Sequence, residues 1–132
     1  MTHRDEAAYL LERSKEFLET AKYQINKGFY GLSVFSLEQA LQLFLKSKML
    51  ASGVDYPRTH SVRALLEMLS DLASDEEKSA IKGLLERCLL ELGMLEDAYI
   101  TSRYVMREFR REEAERLTKV VEEVMKKWSV SF

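Results

Sequence analysis

Cysteine, proline and long apolar runs are what this chain has least of. One cysteine among 132 residues, Cys88, excludes an internal disulfide, and neither a CxxC pair nor a Cys/His cluster is present to hold zinc. A reducing, cytoplasmic setting suits such a chain. One proline and five glycines supply little turn chemistry, which excludes collagen and argues against a turn-rich all-β design. No stretch is long and apolar enough to span a bilayer, and residues 1–13 alternate charged and apolar side chains instead of forming a signal-peptide core, so no membrane role is expected. An excess of one charge is missing too. The 20 basic and 22 acidic side chains leave a formal charge of −2, which argues against coating nucleic acid through net charge alone. Asn and Gln are scarce, and Glu supplies 17 of the 22 acids, a bias that leans towards a thermophilic source.

What is present is helical periodicity. With 46% apolar and 32% charged residues, the chain has the composition of one helical domain over residues 1–132, able to bury roughly 68% of its unfolded surface. Ala7, Leu11, Ser14, Leu18, Ala21 and Ile25 recur every three or four residues and predict a helix from about Arg4 to Asn26, stopped at Gly28. A second helix, from Phe29 or Tyr30 to Ser52, is apolar most of the way round, interrupted mainly by Glu38, Gln39 and Gln42. Such a helix either lies centrally or meets a second subunit. Lys46 and Lys48 near its end are placed to snorkel to solvent. A loop around Pro57 follows, then a short helix capped by Thr59 or Ser61 and running to about Ala73. The capping box from Ser74 to Glu77 opens a long helix expected to be continuous to Ala98, with Gly83 and Gly93 inside it as marks of close helix approach, and residues 99–104 interrupt or end it. The last helix runs from about Arg111 to Trp128. The fold class is all-α: an antiparallel up-and-down four-helix bundle with one additional short helix, five in all.

Enzyme motifs are missing as well. The chain has no GxGxxG, P-loop, GxSxG or HExxH, and no Glu-x-x-His for a di-iron bundle, so no metal and no cofactor is implied. Only His3 and His60 carry imidazoles. His3 lies at a fraying end. His60 opens a helix between Arg58 and Arg63, where free N–H groups and the helix dipole favour an anion. Arg103, Arg107, Arg110 and Arg111 interleave with Tyr99, Tyr104 and Phe109, a set that can hold phosphate oxygens and stack a base, although Glu108, Glu112 and Glu113 also fit a solvated mixed-charge face. Cys88 falls on an inward row and reads as a small buried hydrophobe.

Three stretches in order carry a resemblance: residues 29–46 (FYGLSVFSLEQALQLFLK), residues 57–62 (PRTHSV) and residues 98–104 (AYITSRY). Together they resemble the HEPN domain, named for nucleotide binding in higher eukaryotes and prokaryotes, over roughly Tyr9 to Trp128. The resemblance implies a helical bundle that commonly pairs as a homodimer and is often encoded beside a minimal nucleotidyltransferase in a toxin–antitoxin arrangement. Its ribonuclease members use an Arg followed after four to six residues by His. Arg103 matches that Arg, but Glu108, Phe109 and Arg110 stand where the His would fall, so the proton shuttle is lost. Val105 also replaces the Pro of the family's common Arg-Tyr-Pro turn. The expectation is therefore a homodimeric binding module whose Arg103, Tyr104, Tyr99, Arg107, His60 and Arg58 contact a nucleotide, an RNA or a nucleotidyltransferase partner. The alternatives are a metal-independent ribonuclease toxin using Arg103 with a displaced base, and a helical dimer without a ligand.

Overall fold

The computed structural model describes residues 2–104 and 107–128, with the backbone alone for 100–104. Among these residues there are six helices and no strand: α1 (His3–Asn26), α2 (Tyr30–Ala51), α3 (Val62–Leu72), α4 (Asp75–Arg87), α5 (Leu89–Tyr104) and α6 (Arg111–Lys127). The Thr2 hydroxyl accepts from the Asp5 N–H while the Asp5 carboxylate accepts from the Thr2 N–H, a reciprocal cap that starts α1. Gly28 ends α1 at φ +80°, the left-handed conformation in which a Cβ is strained; the following N–H, of Phe29, closes back onto the Gln24 carbonyl at 2.8 Å. That tight stop folds α2 back along α1 with only three residues between them.

α2 is the central element, touching α1, α3, α5 and α6. Val34, Leu37, Ala40, Leu41 and Leu45 have no exposed surface, and they join Ala21 and Ile25 of α1, Leu65 and Leu66 of α3, Leu92 and Leu95 of α5, and Leu117 and Val121 of α6 in one buried cluster. From Val34 to Leu50 most of the apolar surface of α2 is thus covered by the chain's own helices, while Leu32 at its start stays 52% exposed.

The helix expected to run unbroken from Asp75 to Ala98 is two helices, which makes six where five were expected. Cys88 leaves helical geometry at φ −112° and ψ 23°. α4 packs on α3 and makes no comparable contact with α2, whereas α5 packs chiefly on α2. The bend keeps Ile81, Leu84, Cys88, Leu92 and Leu95 all inward and leaves Leu89 and Leu90 exposed at its outside. Residues 99–104 do not interrupt the helix; they continue α5 to Tyr104. Nor do the two glycines mark a close crossing. A Cβ at Gly83 would meet nothing within 4 Å, and one at Gly93 would touch the Arg63 guanidinium at 3.6 Å.

Candidate functional site

The loop between α2 and α3 brings His60 to α5. The chain turns at Arg58, where the Thr59 N–H donates to the Pro57 carbonyl at 3.0 Å, and the Thr59 hydroxyl accepts from the Ser61 N–H at 3.1 Å. Ser61 then caps α3, its hydroxyl accepting from the Ala64 N–H at 3.1 Å. At this junction the exposed His60 imidazole lies flat on the half-buried Tyr99 ring, with centroids 4.1 Å apart and planes 16° apart. Phe35 of α2 adds a third ring, 6.4 Å from Tyr99.

Of the sequence-predicted residues, the structure therefore joins His60 and Tyr99. Arg58 is exposed on the loop two residues before His60. Arg103 follows Tyr99 by four residues in α5, and the side chains of Arg103 and Tyr104 lie outside the described residues. Arg107 has a different set of partners. Its guanidinium donates to Glu113 at 2.9 Å and sits 4.1 Å over the Phe109 ring. Arg107, Phe109, Arg110 and Arg111 line an open cleft of about 1080 Å³ together with Gly28, Phe29 and Leu32 at the start of α2; Glu108 and Glu112 line it too. None of the three positions that could have carried an imidazole does: Glu108 is exposed, Phe109 is buried, and Arg110 caps α6 through its N–H to Glu113 at 2.8 Å.

Two polar features were not assigned from sequence. Glu38, with no exposed surface, accepts from the Gln39 and Gln42 amides at 2.7 Å each, and the Gln42 amide oxygen accepts from the Lys46 ammonium at 3.0 Å. Burial pushes the Glu38 carboxyl up to about 7 against the amides that favour its charged form, and nearby Glu96 adds to the rise. Lys46 and Lys48 do not snorkel: both are buried, lying 5.1 Å over the Tyr56 ring and 5.0 Å over the Phe44 ring respectively, and burial holds both ammonium groups below the ordinary lysine range. The signal for this ladder was a Glu, a Gln and a Lys four residues apart in an otherwise apolar helix. The second feature is Glu96, whose carboxylate takes donors from Ser61 and Arg63 of α3. Burial raises the Glu96 carboxyl, but these hydrogen bonds outweigh it and hold the group below the usual carboxylate value.

A model of the HEPN domain matches residues 7–130, nearly the whole chain. The chain belongs to the HEPN family. No curated protein and no solved structure gave a significant match. The helical architecture is that of a HEPN domain, and no helix among the described residues is long and apolar enough to cross a membrane. At the junction of the loop and α5 the exposed His60 ring lies on Tyr99 with the exposed Arg58 two residues before it, while the Arg63 guanidinium is taken by Glu96. Among the described residues no three His, Cys, Asp or Glu side chains gather as metal ligands would.

Proposed function

We propose that this HEPN domain is a non-catalytic binding module that works as a homodimer. Arg103 and Tyr104, with Tyr99, His60, Arg58 and Arg107, contact a nucleotide, an RNA or a minimal nucleotidyltransferase partner of toxin–antitoxin type. The observation that carries this reading is the stacked His60 and Tyr99 pair, a flat π surface four residues before Arg103 on α5. Positions 108–110 supply no imidazole, which speaks for binding without cleavage. A cytoplasmic site of action belongs to the same reading.

One observation favours a second reading, a metal-independent ribonuclease. His60 reaches α5 from another part of the chain, and a base displaced in sequence can still serve Arg103 if it arrives in space. Titration of purified protein with ATP and with a short single-stranded RNA, following affinity and RNA integrity together, separates the two. The module binds without cutting, and Arg103→Ala weakens it about tenfold, the loss of one charge-assisted hydrogen bond of roughly 1.5 kcal/mol. RNA cleavage that disappears in Arg103→Ala establishes the ribonuclease instead. Sedimentation at micromolar concentration tests the dimer, and a species of 15.4 kDa alone removes it.

A further inference from the structure

The His60 and Tyr99 rings come from two segments that nothing in the local sequence would register to within a ring's width. His60 ends a loop whose residues Gly53, Val54, Asp55 and Arg58 are exposed. The loop is tied earlier in its course, by His3 Nε2 to Asp55 at 2.6 Å and by Tyr56 packed against the core, but fixing the His60 ring itself costs conformational entropy and a single exposed stack is a weak contact to hold it. Glu96 supplies the anchor at the His60 end. Its Oε1 accepts from the Ser61 hydroxyl at 2.7 Å, the Arg63 N–H at 2.9 Å and Arg63 Nε at 3.0 Å, while its Oε2 accepts from Arg63 Nη2 at 2.8 Å. This is a two-point guanidinium pair combined with a carboxylate at a helix N-terminus, both strong and directional arrangements. The carboxylate is also well shielded, with its side chain 13% exposed.

The latch touches each ring's own neighbourhood. Ser61 is the residue after His60, and Glu96 precedes Tyr99 by three residues, one turn along the same face of α5. Closing Glu96 onto the first turn of α3 therefore fixes both partners of the stack. We propose that Glu96 is the positioning residue of the His60–Tyr99 platform, locking the start of α3 to α5 so that the imidazole lies flat on the phenol. Its effect on ligand affinity rests on the reading of that platform as a contact surface; its effect on ring geometry does not.

The test is the imidazole ¹H–¹³C spectrum of the full chain, in which the Tyr99 ring shields the His60 protons. His60→Ala identifies the signal against that of His3, and Tyr99→Leu calibrates the unshielded position. Glu96→Gln and Arg63→Gln are expected to move the His60 signal more than half of the way to the Tyr99→Leu position. Arg63→Lys is expected to do the same, because it keeps the charge and loses the two-point contact. Glu91→Gln, which removes the same charge and a different ion pair on the same helix, to Arg116, leaves the signal in place. Affinity for ATP and single-stranded RNA falls about fivefold to tenfold in Glu96→Gln through misplacement of the platform. A His60 signal that stays shielded in Arg63→Gln, and in Glu96→Gln wherever that variant folds, overturns the proposal. Loss of shielding with unchanged affinity upholds the latch and overturns the platform as the contact surface.

Discussion

The two ends of α2 are made of similar residues in different surroundings. Between Ser36 and Leu50 only Gln39 and Leu43 keep partial exposure, whereas Phe29 and Leu32 at its beginning are 53% and 52% exposed. In the closed stretch every polar group must find a partner inside the fold, and Glu38, Gln42 and Lys46 find one another along a single helix face. The open end borders the cleft lined by Arg107, Arg110 and Arg111. On the reading proposed above, the enclosed end of α2 holds the fold, and the end beside the cleft, with the His60–Tyr99 pair, makes the contacts to a ligand or partner.

Truncation at the closed end should have the largest effect. Leu41, with no exposed surface, loses its contacts in Leu41→Ala, and denaturant unfolding is expected to show a loss of about 2–5 kcal/mol. A comparable change at the open end, Leu32→Ala, should fall well under half of that, since Leu32 is 52% exposed. Equal losses at the two positions would erase the contrast.

Glu38 sharpens the comparison through pH. Its folded-state value of about 7 lies above the ordinary 4.5, so the folded chain keeps a proton that the unfolded chain releases. The resulting stabilisation is complete below about pH 4.5 and is lost as pH rises towards about 7. Glu38→Gln, which imitates the protonated acid, should therefore gain up to about 3 kcal/mol relative to the parent chain across that interval, read from unfolding midpoints at several pH values. A pH-independent difference would show that the carboxyl is not held neutral.

Smaller effects belong to the caps and the surface. Ser74→Ala removes the hydroxyl that accepts from the Glu77 N–H at 3.4 Å at the start of α4 and should cost about 0.5–1 kcal/mol. Arg116→Ala breaks a bridge in which the arginine side chain is 75% exposed but the Glu91 carboxylate only 14%, and should cost about 0.5–1 kcal/mol, read from the unfolding midpoint.

Most of the fold was legible because helical spacing and stop signals are local. The row from Ala7 to Ile25 and the Gly28 stop place α1 to within a residue, and Ser61 caps α3 as its sequence position suggests. The break at Cys88 was not legible, because it answers to where α4 and α5 pack and the inward row runs through it unchanged. The site was legible only in its parts. His60 and Tyr99 stood out as residue types, but their meeting across 39 positions has no periodic signature. Glu96 was hidden for the same reason, lying in an acid-rich run with its partners 33 and 35 residues away.

Amide chemical-shift mapping during titration with a short single-stranded RNA tests the division of labour most directly. The account predicts perturbations at His60, at Tyr99 and through Arg103, with the amides between Phe44 and Leu50 unmoved. Perturbations confined to residues away from His60, α5 and the cleft at the start of α2, or none at saturating RNA and ATP alike, would contradict it.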